Sequence, residues 1–146
     1  MTSERILQVS TVATIVLAVS AAAAAAAPDA LAVPYAVLGV AYFLVGCAAF
    51  VCSYLIAIGR SRTEVLSVIG IYFLAGAAPR EVKVRLVGAL AVQCVVVVAA
   101  AAVRPYTAVA FGVLAPMLGL GLTGLWGARF GTFPERADQQ GRRPAA

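Results

Sequence analysis

The chain has no histidine and only six acidic residues, Glu4, Asp29, Glu64, Glu81, Glu135 and Asp138. None of them falls inside a long apolar run. Proton relays and ion paths rely on ionisable groups within the bilayer, so their absence there argues against a pump, a proton-coupled transporter or an intramembrane protease. The three cysteines, Cys47, Cys52 and Cys94, show no Cys-x-x-Cys spacing and have no histidine or nearby acid to complete a zinc site. They read as small buried hydrophobes. Neither a nucleophile–base pair nor a metal-ligand set can be assembled. The chain therefore does not read as an enzyme, and no cofactor or metal is expected. Lysine is nearly missing too, with Lys83 alone against ten arginines. Together with abundant alanine and valine, that is the usage of a GC-rich genome, pointing to an actinobacterium-like source and a plasma membrane.

What is present is apolar: 63% of the residues are hydrophobic. A spanning helix needs about 20 apolar residues to cross a hydrocarbon core of ~30 Å. Four segments qualify: Ile6–Ala27, Pro34–Ile58, Leu86–Val103 (from Val82 if Lys83 and Arg85 snorkel to the headgroups) and Thr107–Ala128. The expected fold is thus an all-α membrane protein with one four-helix domain over residues 1–130 and a disordered cytoplasmic tail over 131–146. Arg5, the apolar stretch and Ala21–Ala27 also resemble a secretory signal peptide with a small-residue cleavage site, but the stretch is long for one and is taken as a retained span.

A fifth apolar run, Val65–Ala78, has 14 residues, a length suited to a re-entrant, interfacial or buried helix. The distribution of positive charge decides against a fifth crossing. With four spans, ten of the eleven Lys and Arg residues share one side and Arg104 alone lies on the other; with five, they divide four and seven. Positive residues favour the cytoplasmic side, so both termini are expected there. The net charge of +5 then reflects orientation and attraction to anionic lipids. A nucleic-acid partner would need a soluble basic face, which this pattern does not supply.

Ser61-Arg62-Thr63-Glu64 matches a capping box, which predicts a cytoplasmic-side interfacial helix over about 64–74. Val65, Leu66, Ile69, Tyr72 and Phe73 make it apolar nearly all round. A helix lying on a bilayer normally has a strongly polar face, so this one is expected to be buried on both sides and to offer a partner interface. Glu81 and Arg85 are placed as an i, i+4 ion pair. Arg80, Lys83 and Arg85 form a basic collar for anionic lipids or a partner.

The fourth span carries a ridge of small side chains, Ala115, Gly119, Thr123 and Gly127, a second candidate interface through which helix backbones can approach closely. Thr11, Thr14, Ala18 and Ala22 give the first span a similar face. The two faces either pack together within the chain or meet another protein. Pro116 is expected to kink the fourth span. Gln93, the one amide in mid-span, is expected to form an interhelical hydrogen bond.

From Arg104 the chain reads RPYTAVAFGVLAPMLGLGLTGLWGARFGTFP, preceded by SRTE and APREVKVRL. Over about 60–134 this resembles a family of small actinobacterial four-span membrane proteins that includes an accessory subunit of Mce-type lipid-import complexes. The resemblance implies a subunit seated beside the permease of an ABC-type lipid importer, and it carries no catalytic motif. Read with the residues, it gives a leading expectation of a non-catalytic accessory or stabilising subunit whose partners are membrane lipids and a permease. The alternative is an autonomous lipid carrier or flippase acting as a homo-oligomer, with a cavity lined by Gly112, Pro116, Gln93 and the collar.

Overall fold

The computed structural model describes residues 2–135. These are all-helical, in the order α1 (Ser3–Ala26), α2 (Pro28–Arg60), α3 (Val68–Tyr72), α4 (Arg80–Val103), a 3-10 helix (Ala108–Leu114) and α5 (Pro116–Phe130). Four helical units are long and apolar enough to cross a membrane: α1, α2, α4, and the 3-10 helix continued into α5. Ala27 is the whole connection between α1 and α2. Pro28 occupies the first position of α2, where its missing N–H removes no helical bond. The second span is consequently longer than expected, with Pro34 inside it. At ~1.5 Å per residue, its 33 residues exceed a hydrocarbon core of ~30 Å.

The fourth span is at the centre. Half of its most apolar window is buried, against 17–28% for the other three. Its small residues explain this position. Gly46 of α2 lies so close to α5 that a Cβ there would overlap the Met117–Leu118 backbone, and a Cβ on Gly121 would overlap the Gly46 carbonyl. Higher up, a Cβ on Gly39 would lie 3.0 Å from the Phe111 carbonyl oxygen and 3.3 Å from the Cα of Gly112. The partner of the fourth span is therefore α2, not the first span. Thr11 and Ala22 face outward, and α1 packs chiefly beside α4.

At Pro116 this span changes helix type. Pro116 has no N–H to donate to Gly112, so the Gly112 carbonyl instead accepts from Ala115 N in a 3-10 bond of 2.9 Å. The helix tightens before Pro116 and relaxes to α after it. The Gly112 face so presented is filled by the Tyr35 ring.

Polar side chains tie the remaining helices. Gln93, fully buried, donates from Nε2 to Thr14 Oγ1 at 2.8 Å, the interhelical bond expected of it. Its Oε1 turns toward Gly119, where a Cβ would come within 2.6 Å. Tyr42 donates to the Ala13 carbonyl (3.2 Å), linking α2 to α1. At one end Trp126 Nε1 donates to Ser3 Oγ (2.7 Å); at the other, Arg104 Nε donates to the Ala25 carbonyl (3.0 Å). Arg104 thereby satisfies one of the orphan carbonyls at the C-terminus of α1. Cys52 and Cys94 point outward rather than into the bundle, and Cys47 is half-buried.

Overpacking a filled core costs about 1–3 kcal/mol, and a Cβ at Gly46 would meet backbone that has no rotamer to yield, so Gly46→Val is expected to lower the thermal midpoint sharply or abolish folding. Gly88→Ala, whose Cβ meets nothing within 4 Å, should leave the midpoint unchanged or raise it. Unfolding of the detergent-solubilised chain followed by Trp126 fluorescence checks both, and a Gly46→Val chain melting like the native one would remove this account of the seam.

Candidate functional site

The polypeptide between α2 and α4 gathers at the end of the bundle that also carries Ser3 and Trp126, together with the segment after α5. Arg60, the last residue of α2, organises it. Its Nη1 donates to the Ala128 carbonyl at 2.8 Å and its Nη2 to the Gly131 carbonyl at 2.9 Å. Nη2 also pairs with the Glu64 carboxylate at 2.6 Å, and the guanidinium lies 5.5 Å from the centre of the Phe133 ring. The last carbonyls of a helix have no partner within it and carry partial negative charge. A planar fork of N–H donors can meet two of them and a carboxylate at once, which an ammonium cannot do with the same geometry.

This capture of Glu64 overturns the capping box. Glu64 is held by Arg60 and forms an isolated bridge with Glu135, while Val65 N donates to the Pro134 carbonyl at 2.9 Å. The helix starts later, at Val68. Its cap is Ser67, whose hydroxyl accepts from Gly70 N at 2.9 Å. Only Val68–Tyr72 is α-helical, not 64–74. Leu74 follows in the left-handed region (φ 55°) and is completely buried, and Gly76 adopts φ 73°. A bulky left-handed residue is strained, and the full burial of Leu74 holds it in place.

Residues 131–135, expected to belong to the disordered tail, instead run back along this loop. Thr132 N donates to the Ala77 carbonyl at 3.0 Å, and Phe133 packs against Gly70. The tail expectation for residues 136–146 falls outside the described residues.

The two faces of α3 differ sharply. Inward, Ile71 and Tyr72 are buried, the Ile71 carbonyl lying against Gly127 and the Tyr72 ring against Gly124. Tyr72 stacks on Phe50 with ring centres 4.7 Å apart, and its hydroxyl is hydrogen-bonded to that of Ser53 at 3.2 Å. Outward, Val68, Ile69 and Phe73 are 70%, 64% and 48% exposed. The expectation of burial on both faces fails within this chain: one face is buried and the other is open.

The candidate interface residues therefore separate. Ile69 and Phe73 are on the open face, Val65 and Leu66 are half-buried at its edge, and Tyr72 is inside. Ala115, Gly119, Thr123 and Gly127 are all buried within the chain. Tyr72 and Ile71, Gln93 and the α2 backbone occupy the small-residue face, so it is not a surface for another protein. The collar residues Arg80, Lys83 and Arg85 are exposed. Among the described residues Arg60–Glu64 is the ion pair formed, and the expected Glu81–Arg85 pair is not.

Two features were missed from sequence. Arg60 was read only as a topology charge, because its partners lie about 70 residues away. The counterpart of the α5 ridge was missed because it repeats every seven residues, as Ala32, Gly39, Gly46 and Ser53, rather than every four. A seven-residue search for small side chains would have found it.

Among the described residues no group of three cysteine or acidic side chains comes together. The chain's class is that of an all-helical bundle whose four long apolar helices are compatible with a multi-pass membrane protein. No family model, curated protein or solved structure matches the chain.

Hydrogen bonds to charged groups contribute about 1.5–3 kcal/mol, so Arg60→Ala and Arg60→Lys should both loosen this end without unseating the Gly46–Gly121 seam. Hydrogen exchange at the Val65 and Thr132 amides is expected to accelerate in both variants, while amides in the middle of α5 stay protected. Equal protection at Val65 in the native and Arg60→Ala chains would refute the clamp.

Proposed function

We propose that the chain is a plasma-membrane protein with both termini in the cytoplasm, serving as a non-catalytic accessory subunit of a larger membrane complex. The observation that carries this reading is the open face of α3. Val68 and Ile69 project from a five-residue helix and Phe73 from its C-cap, while the other face is locked into the bundle by Tyr72 and by Phe133, over which Arg60 lies. Apolar side chains fixed outward on a rigid mount, at the end of the bundle bearing nearly all the basic residues, are suited to a preformed apolar surface of a partner. The positive-inside pattern supports placing that end in the cytoplasm. The resemblance over residues 60–134 supports an Mce-type ABC lipid importer as the complex and its permease as the partner.

The alternative, an autonomous lipid carrier or flippase, drew on a cavity beside Gly112, Pro116 and Gln93. Tyr35 fills the Gly112 face and Gln93 the Gly119 face, which weighs against a transport path there.

Purification of the tagged chain at native expression in mild detergent, followed by mass spectrometry, tests the proposal. Stoichiometric permease or ATPase subunits are expected with the native chain and are expected to be lost from an Ile69→Glu/Phe73→Glu chain that melts normally. Recovery of the native chain alone would overturn the accessory role.

A further inference from the structure

A groove of about 710 Å³ runs between the first halves of α1 and α4. Glu4 and Arg85 both line it, yet no ion pair joins them among the described residues. Two opposite charges facing one groove without neutralising each other suit a ligand that itself carries an anion and a cation. Further along the groove the lining changes character, through Leu7, Gln8 and Thr11 to Val12, Thr14, Ile15 and Ala89, and the Thr14 hydroxyl is already engaged by the Ser10 carbonyl and Gln93. Eleven residues separate Glu4 from Ile15, ~16 Å along the helix, about half a hydrocarbon core of ~30 Å. The groove thus has the depth of one leaflet and grades from charged through amide and hydroxyl to aliphatic, as a phospholipid does from headgroup through glycerol esters to acyl chain.

We propose that this groove binds one aminophospholipid, of the phosphatidylethanolamine class, in the leaflet at the basic end of the bundle. Arg85 takes the phosphate, whose oxygens match a guanidinium fork. Glu4 accepts from the primary ammonium. The Gln8 amide donates to an ester carbonyl, a donor role open to it because the Thr11 hydroxyl is already committed to the Leu7 carbonyl at 2.9 Å. Val12, Ile15 and Ala89 receive the first part of an acyl chain. A choline headgroup has no N–H to give Glu4 and would require an aromatic cage, and none of the lining residues is aromatic. A glycerol headgroup brings no cation and leaves the Glu4 carboxylate beside the phosphate. The space is of the size that holds part of one lipid rather than a helix, and the site operates with or without a protein partner.

The full chain in detergent, offered equal amounts of palmitoyl-oleoyl phosphatidylethanolamine, phosphatidylcholine and phosphatidylglycerol, is read by native mass spectrometry for retained lipid. One charge-assisted contact more should favour phosphatidylethanolamine about tenfold. Glu4→Gln should erase its advantage over phosphatidylglycerol while keeping one bound lipid, and Arg85→Gln should weaken both. Soluble phosphoethanolamine, lacking acyl chains, should not compete. Equal retention of all three lipids, or a preference for phosphatidylglycerol unmoved by Glu4→Gln, would overturn the proposal in favour of a general annular or anionic-collar interaction. Competition by phosphoethanolamine would overturn the lipid as occupant. All of these readings concern the chain by itself, so they are independent of whether a permease is recovered with it.

Discussion

Apolar helices in hydrocarbon gain nothing by exchanging one apolar neighbour for another, so their association rests on how closely their atoms approach. In this chain the long helices α2 and α5 approach so closely that Gly46 and Gly121 bring backbone against backbone. Everything else in the bundle is arranged around a central helix seated by that contact. With α5 drawn against α2, its other small residues become sockets: Gly112 for Tyr35, Gly119 for Gln93, Gly124 for Tyr72. Each socket admits a large side chain from a different element. A run of glycines that would weaken a helix in water becomes, here, the means of gathering α2, α3 and α4 onto one axis.

Close approach cannot by itself satisfy the polar groups that helix ends expose. Arg60 answers that need at one end and Arg104 at the other, each by giving N–H donors to carbonyls left over from a helix on a distant part of the chain. The Arg60 solution is the more consequential. By holding Ala128, Gly131 and Glu64 together it fixes the segment after α5 against the loop after α2. That in turn presents α3 at a fixed attitude. The left-handed Leu74 is part of the same device, since a strained turn persists only where its surroundings over-determine it.

The four spans were legible from sequence because length and apolarity in a bilayer need no knowledge of neighbours. The value of Gln93 as interhelical glue was legible for a related reason: a lone amide in hydrocarbon must find a partner. What could not be read was pairing. The four-residue ridge on α5 was visible, but its match on α2 follows a seven-residue repeat, so Thr11 and Ala22 of α1 were credited with a role that Gly39 and Gly46 perform. The loop failed differently. Ser61 and Glu64 have the spacing of a capping box, and local pattern alone favours it, but Arg60 adjoins them and its ties to residues 128–131 redirect Glu64. A local motif lost to a long-range one that no local window contains. The groove beside Glu4 and Arg85 was hidden for the same cause, since it exists only once α1 and α4 are neighbours.

The small-residue face of α5 is spent on the interior of the bundle, so α5 does not offer another helix a close backbone approach. Recognition can instead fall on large side chains held outward, or on gaps left between helices. This chain has one of each at the same end: Val68, Ile69 and Phe73 on a braced helix, and a charged groove one leaflet deep between α1 and α4. The two differ in what they can discriminate. An exposed apolar face selects by shape and area, and so suits a protein surface that is itself preformed. A groove with a carboxylate and a guanidinium apart from each other selects by charge placement, and so suits a headgroup whose anion and cation are fixed a few bonds apart. The two surfaces thus divide recognition between them by different physical means, one through apolar shape and the other through the placement of opposite charges.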